Sequence, residues 1–164
     1  PVIMDAHIVA GLETEITQVQ APKSKGAPPP YDKKPLPTFV LRHQGETWTN
    51  PFAVVYESHT EQKGDYPAVK TVERLMDGDV FKGVKVTAEV AGKAITQYVL
   101  VQESLDHKYV NSDIGIRFQG QFAVLTLDDN QALQEAYIGS GQALTYKEQT
   151  IIADGETFAV YKNN

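Results

Sequence analysis

The sequence predicts an all-β protein, an antiparallel β-sandwich of two packed sheets with little or no helix. Apolar residues alternate with a period close to two along most of the chain. Turns rich in Gly, Asn, Asp or Pro interrupt that alternation roughly every 8 to 12 residues, the spacing a sandwich or barrel produces. No segment shows a convincing long helical period, and no fixed-length repeat points to a propeller or solenoid.

Val2 to Val9 and Leu12 to Val19 read as a strand pair around Gly11. Glu13, Glu15 and Thr17 give the second strand a wet face, which places the pair near a sheet edge. Residues 21–37 carry Pro22, Pro28, Pro29, Pro30, Pro35 and Pro37 together with four lysines. Such a segment cannot donate to a ladder and favours extended, solvated backbone, so it reads as a long loop, either a surface excursion or a lid or docking arm. Phe39 to Leu41 and Phe52 to Tyr56 are short apolar runs around a polar loop that holds Gly45, Pro51 and the single tryptophan, Trp48. Asn50 to Glu57 is the most apolar run and reads as central.

Glu61 to Tyr66 is a second loop. In Ala68 to Met76, Val69, Val72 and Leu75 recur every three residues, so helix competes with strand; the Val and Thr content and the closing Asp77-Gly78-Asp79 turn favour strand. Val84 to Val90 and Ile95 to Val101 flank Ala91-Gly92-Lys93-Ala94, the strongest hairpin signal, because Gly92 can take the positive φ of a tight turn. Ile114 to Phe118, Phe122 to Leu127 and Leu133 to Ile138 continue as a meander, broken at Gly120 and at Asp128-Asp129-Asn130. Gln131 to Tyr137 is again ambiguous between helix and strand. Gly139-Ser140-Gly141, Ala143 to Tyr146, Thr150 to Ala153, Asp154-Gly155 and Phe158 to Tyr161 complete the series. The alternation nominates Val54, Tyr56, Val86, Val99, Leu100, Phe122, Val124 and Phe158 for the core.

With 164 residues the chain suits one domain, residues 1–164, large enough to bury roughly 70% of its unfolded surface. It has no cysteine, which excludes disulfides and thiolate metal sites. The net charge of −6 disfavours nucleic acid and anionic membranes as partners. No window reaches the ~18 apolar residues of a membrane span. The chain begins with proline, and Pro1 runs directly into a strand-like segment, so a piece of a longer protein is expected rather than a chain trimmed of a leader.

The search for chemistry yields exclusions and one contact surface. His7, His43, His59 and His107 are far apart and lack the close spacing that holds a metal on one element, so no metal or other cofactor is expected. There is no Gly-x-Ser-x-Gly elbow and no phosphate loop. Asp77 with Asp79, and Asp128 with Asp129, sit in turns where Asp serves local backbone hydrogen bonding. The sequence therefore assigns no catalytic residue. Trp48 beside Thr, Asn and Gln can stack on a sugar ring while the amides bond its hydroxyls, or it can fold back over one end of the core. If the domain binds sugar, Arg42, His43, Gln44, Glu46 and Trp48 form the contact.

The segment Phe39-Val40-Leu41-Arg42-His43-Gln44-Gly45-Glu46, followed by Trp48 and by Pro51 to Glu57, resembles the C-terminal β-domains of bacterial heparinase II/III-like polysaccharide lyases. Val69 to Leu75, the Val84 to Val101 hairpin, Phe118 to Val124, and Tyr137-Ile138-Gly139 leading to Leu144-Thr145-Tyr146 extend the likeness from about Phe39 to the end. The resemblance implies a non-catalytic accessory sandwich, structural or carbohydrate-binding, of a periplasmic or extracellular polysaccharide-degrading protein. Its implied partners are a polysaccharide, with Arg42 able to pair with a uronate carboxylate, and a catalytic α/α toroid. Such toroids supply the base that removes the proton α to the uronate carboxylate, and this chain has no toroid. Isolated, the chain is expected not to cleave polysaccharides. Two alternatives stand: part of a lyase cleft completed by the missing toroid, or a protein-interaction, adhesin-like module that uses an edge strand and the proline-rich loop.

Overall fold

The computed structural model describes residues 2–11, 13–22, 26, 28–29, 32–62, 68–153 and 158–163. Among these it forms twelve strands and no helix: β1 (Val2–Ile8), β2 (Glu15–Ala21), β3 (Leu36–Arg42), β4 (Val54–Thr60), β5 (Val69–Asp77), β6 (Val80–Val90), β7 (Lys93–Val101), β8 (Lys108–Asn111), β9 (Ile116–Leu127), β10 (Leu133–Tyr146), β11 (Gln149–Ile152) and β12 (Ala159–Lys162). Every strand pairing is antiparallel, so the all-β antiparallel sandwich expected from the alternation is observed. The period-three hint in Ala68 to Met76 and the ambiguity in Gln131 to Tyr137 both resolve as strand, in β5 and β10.

The order of the main sheet is β11-β10-β9-β7-β6-β5, with β8 added to β9 and β12 to β10. β6 and β7 form the expected hairpin, in which Ala91 and Gly92 take φ of 52° and 76° between the paired Val90 and Lys93. The expected breaks at Gly120 and at Gly139 to Gly141 are not turns. Both lie inside single long strands, β9 and β10, where Gly120 pairs with Gly141 and the register shifts. A Cβ on Gly120 would stand 2.4 Å from the Gly141 Cα, so the glycines permit close backbone approach at a bulge rather than a chain reversal. The bulge also switches the inward face: Ile116 and Phe118 point into the core before it, whereas Ala123, Leu125 and Leu127 do so after it. On one side of this irregularity β9 and β10 pair with β8 and β11, on the other with β7 and β12. Side chains from both halves, including Tyr109, Phe118, Leu100, Leu125 and Ile138, enter one hydrophobic cluster, so the sheet coils around its own core. Buried Gln102 fastens the irregular side: its amide donates to the His107 and Gly120 carbonyls at 3.1 and 2.9 Å and accepts from Lys82 Nζ.

The first four strands differ from the sequence expectation. The segments either side of Gly11 do not pair with each other; β1 pairs with β4, and β2 with β3, in separate two-stranded ribbons. Hence β3 and β4 are not adjacent central strands. Local alternation fixes which face a strand buries but not its partner, and here the partner of β1 lies about fifty residues away. The β1–β4 ribbon lays one face over β5 to β7, where Val9, Ala53 and Val55 meet Val69, Val72, Phe81, Val84, Val86 and Val99. Its other face is open to solvent.

This arrangement corrects the core assignments. Leu100 and Val86 are buried, and Val99 packs partly buried against the smaller cluster. Val54, Phe122 and Val124 are half-buried. Tyr56 lies on the outer face of β4 and is 68% exposed, and Phe158 is exposed beside Tyr137, which in turn packs edge-on against Phe122. Pro37, assigned to the loop over 21–37, lies inside β3, paired with Gln20; several residues of that loop, residues 63–66 of the second loop, and Asp154-Gly155 fall outside the described residues.

Candidate functional site

The connection from β3 to β4 is a folded turn rather than an open loop. The Glu46 carbonyl accepts from the Thr49 and Asn50 amides at 3.1 and 2.9 Å, and Asn50 Nδ2 donates to the Gln44 carbonyl at 3.1 Å. Gly45 supplies a φ of 121°, which favours glycine. The His43 ring stacks on Phe52 with centroids 3.9 Å apart. These contacts fix the turn's own shape, and it divides the surface into two depressions.

On one side Trp48, Pro51, Phe52 and Val55 face Phe81, Val84, Val99 and Val101 across an apolar hollow of about 280 Å³. Trp48 keeps 41% of its surface exposed, so it neither seals the core nor stands wholly free. On the other side Gln44, Gly45, Thr49 and Asn50 face Gly11, Glu13, Arg74 and Asp79 across a cleft of about 750 Å³, whose lining also includes Ala10 and Met76 and in which polar side chains project from a mostly apolar wall.

The structure thus separates the five residues nominated from the sequence. Gln44 lines the larger cleft and Trp48 the smaller hollow. Arg42 and Glu46 are exposed and line neither, while His43 is engaged with Phe52. Arg74 was not nominated. The alternation of β5 puts Arg74 on the face of Val72, but it does not say what lies across from that face. Its guanidinium lies 4.8 Å from the Phe81 ring centroid and donates through Nη1 to the Val9 carbonyl at 3.4 Å.

A second titratable group occupies the inner face of the β1–β4 ribbon. Asp5 and Glu57 are opposite in register, and each receives a histidine from the diagonal position: His59 Nε2 lies 3.0 Å from Asp5 and His7 Nε2 lies 3.1 Å from Glu57. Glu57 also accepts from the backbone amides of Ala68 and Val69. Burial alone would raise the Glu57 pKa; the two amides and His7 outweigh it and hold the carboxyl below its ordinary value. These carboxylates tie β4 to β1 and to the start of β5. Among the described residues, no group of three or more His, Asp or Glu side chains is arranged to hold a metal ion.

The family model of the endo-acting ulvan lyase C-terminal domain matches residues 69–164. An endo-acting ulvan lyase of Formosa agariphila is 32% identical over 156 residues, which cover 95% of this chain and 19% of that protein. The chain therefore spans about a fifth of the length of the curated relative that it matches. No solved structure matches it.

Proposed function

The chain belongs to the family of endo-acting ulvan lyase C-terminal domains, and from that premise we propose that it is a non-catalytic accessory domain that holds polysaccharide for a lyase domain elsewhere in the same polypeptide. The observation that carries the reading is Trp48, partly exposed on a hydrogen-bonded turn above an apolar hollow, with amide and hydroxyl groups of Gln44, Thr49 and Asn50 on the opposite wall of the same turn. A polysaccharide crossing the turn can stack the apolar face of one sugar on the aromatic side and bond the hydroxyls of a neighbouring sugar on the other. Of the sequence-nominated set, Trp48 and Gln44 carry the contact in this proposal, and Arg42, His43 and Glu46 flank it. A helical toroid of the heparinase II/III kind is the form of catalytic neighbour that the sequence resemblance implies. A polymeric ligand cannot cross a membrane unaided, so an extracellular site of action follows from the same reading, and a periplasmic one requires that the polymer first be shortened and imported.

Isothermal titration of the chain with ulvan and with ulvan oligosaccharides tests this. Weak binding is expected, reduced several-fold in Trp48→Ala, in line with about 0.5–1.5 kcal/mol for an aromatic contact. Equal binding by a folded Trp48→Ala protein would remove the turn from the reading.

One observation favours a second use for another surface. Val2, Met4 and Tyr56 lie together on the outer face of the β1–β4 ribbon and are largely exposed. Such a face suits contact with the remainder of a longer polypeptide, the interaction role that the sequence left open.

A further inference from the structure

We propose that the cleft floored by Arg74 is a subsite for an anionic group carried on a sugar, a carboxylate or a sulfate ester. The proposal rests on the reading of the domain as a polysaccharide binder and adds the charge that its ligand carries. Arg74 is half-buried, and among the described residues no carboxylate forms an ion pair with it. Among the described residues its contacts are an aromatic face and one long hydrogen bond to the Val9 carbonyl, which engages one of the guanidinium's five donors. Burial is the one cause that acts on its pKa, and it acts downward, the mark of a cation that has lost water without gaining a counter-ion. A planar fork in that state matches the paired oxygens of an oxyanion better than any neutral group.

The surroundings are shaped for it. A Cβ on Gly11 would stand 2.1 Å from Asn50 Oδ1 and 2.7 Å from Arg74 Nη1, so the missing side chain at that position is what lets the amide and the guanidinium converge. The cleft volume of about 750 Å³ lies within the range of small-molecule sites. Gln44, Thr49 and Asn50 offer partners for ring hydroxyls. Glu13 and Asp79 also line the cleft, and they can accept from hydroxyls while weakening the attraction for any anion. The subsite is therefore expected to be weak and sensitive to ionic strength.

The test follows arginine Nε–Hε signals by NMR in the whole chain, with Arg74→Lys identifying the Arg74 resonance. Titration with glucuronate, with glucose 6-sulfate and with glucose should shift the Arg74 signal in a saturable way for one or both charged sugars and not for glucose. The responding sugar tells carboxylate from sulfate ester. Arg74→Lys, which keeps the charge but loses the fork, should weaken that sugar's binding about fivefold or more. Gly11→Ala should do the same while the circular dichroism spectrum stays that of the parent, because Gly11 is not in the left-handed region and only the ends of flexible side chains must move. An Arg74 signal that responds to neither charged sugar, or a charged-sugar affinity unchanged in both variants, overturns the subsite. Failure of the parent reading looks different: ulvan would not bind at all, while the Arg74 signal would still respond to the charged monosaccharide. Conversely, ulvan binding lost in Trp48→Ala but unchanged in Arg74→Lys and Gly11→Ala would leave the accessory role standing and sink the anionic subsite.

Discussion

The coiled sheet from β5 to β12 and the ribbons formed by β1 to β4 are built on opposite terms. Among the described residues, every buried hydrophobic residue except Val9 lies in the span from Leu75 to Ile151, whereas four of the five most exposed large apolar residues, Val2, Tyr56, Met4 and Phe39, belong to the ribbons, the fifth being Ile152 of β11. The sheet thus supplies its own core. The β1–β4 ribbon borrows one, resting Val9, Ala53 and Val55 on the outer face of β5 to β7 and adding polar ties from Glu57 to Ala68 and Val69 and from the Arg74 side chain to the Val9 carbonyl. The family match begins at residue 69, where β5 begins, so the part that the family model describes is the self-cored part. The difference places partly exposed surface, including the Trp48 turn, on a self-cored support, the usual division between scaffold and recognition.

The largest effect should come from emptying the centre of the coiled sheet. Phe118 is almost fully buried in the main cluster, and Phe118→Ala is expected to cost about 3–5 kcal/mol in urea unfolding. Tyr56→Ala, on the open face of the ribbon, should stay within about 0.5 kcal/mol of the parent. A Tyr56→Ala cost close to that of Phe118→Ala would show that the outer ribbon face is covered, for instance by self-association, and would break the contrast.

A smaller loss is expected where β9 and β10 approach at their bulge. Gly120 has a φ of 149°, and an added Cβ would meet the Gly141 backbone, which cannot swing aside as a side chain does. Gly120→Ala should cost at least about 1–3 kcal/mol. Gly92→Ala, also at positive φ but with open space around it, should cost only about 1 kcal/mol. Thermal unfolding of the two variants measures the difference, and equal losses would mean that strand crossing at Gly120 contributes nothing beyond backbone conformation.

The pair of glycines also marks what was legible in the sequence. Alternation identified nearly every strand, because the inward face of each is written in its own residues. It misread Gly120 and Gly139 to Gly141 as turns, since a glycine that permits a bulge and one that permits a reversal look alike until the partner strand is known. Pairing was illegible for β1 and β4 for the same reason: their register depends on residues some fifty positions apart. Tyr56 and Phe158 were assigned to the core because alternation gives two faces without saying which is covered. Of the candidate site, Trp48 and Gln44 could be nominated from composition, but the division of their turn into two walls depends on backbone hydrogen bonds to Glu46 and Gln44. Arg74 required knowing that β5 passes beneath Gly11 and Asn50.

The gentlest way to part the two regions is through Glu57. Its folded pKa is depressed, so its contribution to stability is fully present above the unfolded value of about 4.3 and is lost as pH falls through the depressed value. The bonds at stake join β4 to β1 through His7 and to β5 through the Ala68 and Val69 amides, while the main cluster of the coiled sheet contains no ionisable carboxylate. Acidification below about pH 4 should therefore raise hydrogen exchange at Ala68, Val69 and the β1–β4 ladder before it reaches the amides of β9 and β10. At neutral pH Glu57→Gln keeps the acceptor but removes the charge, and it should cost about 1 kcal/mol with the acid-dependent step abolished. Exchange that rises uniformly across both regions on acidification would mean that the ribbon and the sheet open as one unit, and that their separate cores do not confer separate stability.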